Sequence, residues 1–536
     1  MANAKTISEN HAGQAVRSKV VERNQLLFRT VDVEKLVAPT HRVRAIWEFV
    51  GRLDLSGFYA RVEAVQGQAG RPVWEPRMLL CLWLYAYSEA VNSAREIAQL
   101  CEYHPAYQWL SGMEVVNYHT LADFRVAHQQ SLDELFVQVM GVLSHQGLIT
   151  LKRVMHDGTK IKAAAADKSF RRQATLETHL ERARQQVAAL SEANAEELSA
   201  RKAAARKRAL LDKQQRLEAA LQEIKELKKN QGKQSEEQTD KNQAKEPRVS
   251  TTDPQARIMI GAKGAFGPAY NVQISTDAKA KIIVGMGISQ CSSDSGELVG
   301  AVQRIEENFE QKPEQLVVDA AYPTYSAIER MAKDKIDLIG PVRQNPPTSL
   351  DSLKRRGISK EFYPQAFSYD ESTDSYTCPA NKVLHFETEE KQKGWIKRRY
   401  RARASQCRAC RFQAQCCPGS KKGRSVLRQH KSEAVLAFEA KMKTEEALKI
   451  YKQRAGVAET PNAWFKDKFG LRQFRLRGLA KVGMETLWAC LTYNISQWSR
   501  MCWQPVYGLG PPRPTDKALG LRRGTSEIIA PGRFRR

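Results

Sequence analysis

The 536 residues carry 85 Lys and Arg against 59 Asp and Glu, a formal charge of +26. That excess favours a polyanionic partner such as nucleic acid over an acidic one, the plainer alternative being a merely soluble basic protein. At 42% hydrophobic and 8% aromatic the chain is ordinary globular material, long enough for three or four folding units. No apolar run approaches the ~20 residues of a membrane helix, and the opening MANAKTISENHAGQ lacks a secretory apolar stretch, so a cytoplasmic protein with no membrane partner is expected.

Residues 1–30 are polar and read as a flexible arm. From 31 to 148 the spacing is helical. Arg77 to Val91 is apolar enough to be buried on most sides, with Pro76 at a first-turn position. Ser93 and Glu96 have capping-box spacing, and another helix is expected near Thr120. This region is either a helix-turn-helix DNA reader or a structural bundle.

The period then changes. Leu151 to Met155 has strand character and runs into His156-Asp157-Gly158-Thr159. Strands are expected at Ala269 to Ser275, Ala280 to Ser289, Gln315 to Val318 and Ile336 to Val342, with helices at Gly296 to Phe309 and Tyr325 to Lys333. Strands alternating with helices predict a mixed α/β layer over 149–344. It is interrupted at 168–250, where Leu176, Leu180, Ala183 and Val187, then Leu217, Leu221 and Ile224, repeat at heptad spacing. This predicts an antiparallel helical hairpin, with Gln231 to Pro247 as a polar linker; the alternative is a solvated helix without a partner role. Residues 345–430 form a Cys-rich basic insertion, 431–503 are helical again, and 504–536 read as a disordered basic tail.

Asp157 and Asp319 each follow a hydrophobic strand. Carboxylates at adjacent strand ends are hard oxygen ligands suited to Mg²⁺, and a pair of ions can activate water and stabilise a phosphodiester leaving oxygen. Each Asp read alone is equally a turn residue. Tyr451 and Arg454 are three apart, as on one helix face, and Glu459 and Lys466 seven apart. Pro461 marks a helix start or kink. Arg472, Arg475 and Arg477 suit phosphate-backbone contact, the last two alternating as on a strand. His156 is either a general base or a strand-end packing residue; Trp464 either stacks on a base or packs in the core.

Five of the ten cysteines gather at Cys378, Cys407, Cys410, Cys416 and Cys417. Cys407 and Cys410 have knuckle spacing, and Cys378 with Cys416 or Cys417 completes a set for structural Zn²⁺. Reduced thiols and an iron–sulfur ligand set are the alternatives. Lys397, Arg398, Arg399, Arg401 and Arg403 nearby suit either phosphate contact or a solvated face.

The segments RPVWEPRMLL, NSAREIAQL, NYHTLADFRVAH, HDGTKIKA, TDPQAR, AYNVQISTD, VVDAAY, YKQRAGVAE and WFKDKFGLRQFRLRGLAKV, in that order over nearly the whole chain, resemble a bacterial DDE transposase of the insertion-sequence 1182 family, related to the Y-R-E-K signature class. The resemblance implies an RNase H-like catalytic core: a mixed sheet flanked by helices, with an N-terminal all-helical domain, the inserted hairpin and the Cys-containing insertion. It implies that Asp157, Asp319 and Glu459 hold two Mg²⁺ (or Mn²⁺) ions. Tyr451, Arg454 and Lys466 complete the signature and face DNA phosphate. The implied reaction is hydrolysis and strand transfer on double-stranded DNA, element ends and target, by a nucleoid-associated homodimer or higher synaptic assembly. Two departures stand out: four residues rather than three separate Arg454 from Glu459, and Ala321 replaces the usual Gly. Glu485 is the rival third acid. The alternative functions are a degenerate protein that binds ends without cutting, and a nuclease without strand transfer.

Overall fold

The computed structural model describes residues 30–508 together with 26 and 28, apart from 65–71, 193–199, 238–245, 262–263, 342–349 and 393–394. Most of the expected N-terminal arm and of the tail, and the centre of the 231–247 linker, lie outside these residues.

The N-terminal region is helical, its principal helices Arg42–Val50, Pro76–Ser88, Ala94–Tyr103, Tyr118–Ala127 and Gln129–His145. Their starts follow local chemistry. The His41 imidazole accepts from Val43 N (3.2 Å), the Asn117 carbonyl from His119 N (2.8 Å), and Pro76 occupies a first-turn position. The expected Ser93 cap is not formed: Ser93 precedes the Ala94–Tyr103 helix, but its side chain makes no capping hydrogen bond. Pro76–Ser88 is buried almost throughout, because the C-terminal helix Leu479–Trp498 closes over it. Trp83 and Tyr87 both lie 6.3 Å, centroid to centroid, from Trp488.

The main sheet is mixed. Arg153–Lys162 is its centre. On one side it pairs antiparallel with Phe266–Asp277, which pairs antiparallel with Ile283–Ser289 and, farther along the same edge, with Arg257–Ile260. On the other side it pairs parallel with Gln315–Val317, which pairs parallel with Asp337–Ile339. Glu297–Phe309 buries Leu298, Val302 and Ile305 in the core that runs on into the N-terminal helices. The opposite face buries Met155, Val317 and Ile339 against Ala447, Val457 and Ala458. Asn494, on the C-terminal helix, exchanges two hydrogen bonds of 2.9 Å with the backbone of Ile283.

Several elements differ from expectation. The first strand does not end at His156-Asp157-Gly158 but runs through to Lys162, so Asp157 lies within it. Arg257–Ile260 was not foreseen as a strand. Within 168–250, helices Gln173–Glu192 and Ala200–Glu237 pack through Leu176, Leu180, Ala183, Leu217, Ala220 and Ile224; the second helix takes in the start of the expected linker. Segment 368–430 is a five-stranded antiparallel sheet, in the order Ser425–His430, Trp395–Ala402, Val383–Gln392, Ser375–Thr377, Ser368–Asp370. Residues 472–477 are not a strand, only Gln473 making an isolated bridge to Lys162. Tyr451 and Arg454 do not share a helix: one ends in Glu445–Lys452, and the next, Arg454–Ala463, runs through Pro461 without stopping there.

Candidate active site on the mixed sheet

Register brings the two aspartates together. The parallel pairing of the central strand ends at Met155 with Val317. Asp157 stands two residues farther along the central strand and Asp319 two residues past the end of its neighbour, and the period of two puts them on the face shared by Met155 and Val317. The Asp319 carboxylate accepts from Ala321 N (2.8 Å), and Asp157 accepts from Gly158 N (2.9 Å).

The Arg454–Ala463 helix crosses this face. Arg454 Nη1 lies 3.5 Å from Asp157 Oδ2, and its Nη2 lies 4.0 Å from Glu459 Oε1. Asn462 Nδ2 approaches the same Asp157 oxygen at 3.4 Å. Burial pushes the Asp157 carboxyl above the usual carboxylate range, opposed by the Arg454 guanidinium and helped by the negative charges of Asp319 and Asp294. Glu459 is 63% exposed, whereas Arg454 is 15% exposed and its Nη1 has no hydrogen-bond partner. One guanidinium thus stands among the carboxylates, a cation already in a cation's place. The donors are hard oxygens of the kind that take Mg²⁺. Among the described residues, however, no three His, Cys, Asp or Glu side chains are arranged to hold a metal ion.

Lys466 follows the helix and donates to the Thr159 hydroxyl, two positions from Asp157 on the same face; burial lowers its pKa. Tyr451 packs against the cluster around Met155 and Val317. Arg472 pairs with Asp467, Arg477 Nε donates to Ala164 O (3.2 Å), and Arg475, like both of these, is exposed. Glu485 is fully buried: it accepts from Arg475 N and Leu476 N and pairs with Arg125 Nη2 at 2.9 Å. Arg398, Arg399 and Arg401 pair with Glu389, Glu390 and Glu387 across the neighbouring strand.

Behind the aspartates, the other sheet face carries a buried polar network. Gln273 Nε2 donates to Asp294 Oδ1 (2.8 Å), which leaves its Oε1 to accept from Tyr322 Oη (2.8 Å) and His156 Nε2 (2.9 Å). His156 Nδ1 then accepts from the Ser275 hydroxyl (2.9 Å). The ring is neutral, and burial brings its pKa down to about 4. Asn271 Nδ2 (2.7 Å) and Lys160 Nζ (3.1 Å) complete the shell of Asp294. Neither Asp294 nor Asn462 was singled out from the sequence. The available signal for the network was Asn271, Gln273 and Ser275, polar at period two in an otherwise apolar strand. Trp464 sits edge-on to Phe469 and Tyr493, with Lys468 Nζ 3.8 Å from its ring centroid.

Residues 377–499 match the family model described as "Transposase DDE domain", and residues 31–127 match the one described as "Transposase domain (DUF772)". The two matches fall on separate segments of the chain. The first spans Arg454, Glu459 and Lys466, while Asp157 and Asp319 fall outside both. No curated protein matches the chain. Among solved structures, the cryo-EM structure of a piggyBac transposase synaptic complex with hairpin DNA is 8% identical over 91% of this chain and 78% of that one, with a TM-score of 0.30, a likeness too remote to bear on the fold. No helix among the described residues is long and apolar enough to cross a membrane.

Proposed function

We propose that the chain is the DNA transposase of an insertion sequence, a DDE enzyme of the 1182 family with an RNase H-like core. The observation that carries this reading is the register of Asp157 and Asp319 on one sheet face, beneath a helix that sets Arg454 against Asp157 and also bears Glu459, in the segment matching a transposase DDE domain. The sheet order supports it: three antiparallel strands, with the short Arg257–Ile260 on their outer edge, are followed by two parallel ones, with Asp157 on the central strand and Asp319 just past the end of its parallel neighbour.

Asp157, Asp319 and Glu459 would hold two Mg²⁺ or Mn²⁺ ions, which when bound supply Lewis-acid activation of a water or a 3′ hydroxyl. Arg454 offsets the buried negative charge of Asp157, and with Lys466 it gives charge-assisted contacts to phosphate oxygens. Arg472, Arg475 and Arg477 are exposed for backbone contact. In this reading 31–148 binds DNA, the 168–250 hairpin is an arm for assembly or end binding, and two or more copies hold the two ends in the bacterial cytoplasm at the nucleoid.

The test uses labelled element-end DNA with Mg²⁺. Asp157→Asn and Asp319→Asn are expected to abolish cleavage while end binding stays within a few-fold of wild type. Wild-type cleavage in either variant refutes the reading. Strand transfer by the wild-type protein separates a transposase from a nuclease, and uncut but bound ends identify a protein that binds without cutting.

A further inference from the structure

The five-stranded sheet of 368–430 has little core of its own: Phe367, Leu384, Tyr400, Ala402 and Val426. Units this poor in apolar burial usually need a staple. Half of the chain's cysteines lie here, around a partly open cavity of about 20 Å³, room for one ion or water.

Two of the sulfurs are already held by backbone donors. Cys378 begins a tight turn in which its N–H donates to Lys382 O (2.9 Å), Asn381 N donates to Cys378 O (2.8 Å), and Lys382 N donates to Cys378 Sγ (3.3 Å). Arg424 N donates to Cys407 Sγ at 3.4 Å. The adjoining Gly423 has φ +84°, and a Cβ there would stand 2.7 Å from Ala402 O, so only glycine brings that N–H to the sulfur. Arg424 itself lines the cavity, 4% exposed, with Nη2 on Phe362 O (2.7 Å) and Nε without a partner. It is a buried cation placed among thiols, the countercharge a tetrathiolate centre requires. No carboxylate lines the cavity, which excludes a site for a hard cation.

We infer that Cys378, Cys407, Cys410 and Cys416 bind one Zn²⁺ ion that staples the sheet to its two short helices, Ala404–Arg408 and Gln413–Cys416. Of the adjacent pair, it is Cys416 that packs with Cys378 and Cys407 against the sheet's own core. The thiols surround the cavity without converging on one point. On binding, the four sulfurs lose their protons to solvent and close on the ion. This centre stands apart from the proposed DNA chemistry and does not depend on it.

The full-length protein, purified without chelator, is expected to contain one zinc per chain. Titration with an organomercurial, read with a chromogenic zinc indicator, releases that zinc as four thiols react. Cys410→Ser and Cys416→Ser lose the metal, and Cys417→Ser keeps it. Metal-free protein whose five thiols all react freely, bound iron, or a Cys407–Cys417 disulfide on mass mapping overturns the inference. So does retention in Cys416→Ser with loss in Cys417→Ser. If the serine variants fail to fold, the wild-type stoichiometry and mercurial release decide alone.

Discussion

Glu485 and Glu459 exchange roles if the helix carrying the third acid has been misassigned, and their surroundings separate the two. Glu485 is fully buried and faces Arg125, itself 5% exposed. Arg125 also donates to Asn92 O (3.3 Å) and to the Tyr87 hydroxyl, with its guanidinium 4.8 Å from the Trp83 ring centroid. Replacing Glu485 by Gln leaves that guanidinium buried without its counter-ion, a loss of about 3–5 kcal/mol. Replacement by Ala also strands Arg475 N and Leu476 N, adding about 1–3 kcal/mol for each N–H left without an acceptor. Against a typical total of about 5–15 kcal/mol, the Ala variant lies near the edge of folding. Glu459, 63% exposed with only Arg454 at 4.0 Å, is worth less than about 1 kcal/mol to stability. Urea unfolding followed by tryptophan fluorescence, beside Mg²⁺-dependent end cleavage, gives the two readouts. Glu485→Gln is expected to lower the unfolding midpoint strongly, and Glu459→Gln to leave the midpoint while abolishing cleavage. A Glu485→Gln protein that unfolds like wild type yet cannot cleave refutes the assignment.

The neutral His156 makes stability pH-dependent. Its folded pKa of about 4 lies below the ordinary 6.5, so its contribution is complete above pH 6.5 and is lost as pH falls toward 4. The loss is about 2–3 kcal/mol between pH 7 and 4.5, and His156→Gln should narrow the wild-type difference in urea midpoint by that amount; an unchanged difference contradicts the buried neutral ring. At Gly158 a Cβ would stand 2.5 Å from Gln273 Nε2, 2.6 Å from Asp294 Oδ1 and 2.9 Å from Tyr322 Oη. Gly158→Ala should therefore cost about 1–3 kcal/mol, read as a lower urea midpoint.

Helices were the most legible part of the chain. Tyr325–Lys333 follows its apolar spacing to the residue, and the all-apolar run after Pro76 marks its own burial. The central strand was cut short because Asp-Gly reads locally as a turn; Gly158 is there for the close approach of Gln273, Asp294 and Tyr322, which only the folded sheet reveals. The 368–430 sheet left no period-two apolar trace, since its two longest strands carry Glu387, Glu389 and Glu390 opposite Arg401, Arg398 and Arg399. Such cross-strand charge pairs stabilise only when the partner strand is known. At the site, strand ends and spacing pointed to Asp157, Asp319, Arg454 and Glu459. The position of Arg454 between Asp157 and Glu459 was not readable, and neither were Asn462 and Asp294, because long-range packing sets them.

The helix Leu479–Trp498 also fixes when the protein can finish folding. Trp488 Nε1 reaches Arg125 O (3.2 Å), and Asn494 completes the backbone bonding of Ile283, so one late segment seals elements made hundreds of residues earlier. At about 5–20 residues per second, tens of seconds of synthesis separate Arg125 from Leu479, with Trp83 and Tyr87 uncovered on the ribosome. A chain cut before that segment lacks the helix that covers Pro76–Ser88, and it is expected to be a client for chaperones and proteases.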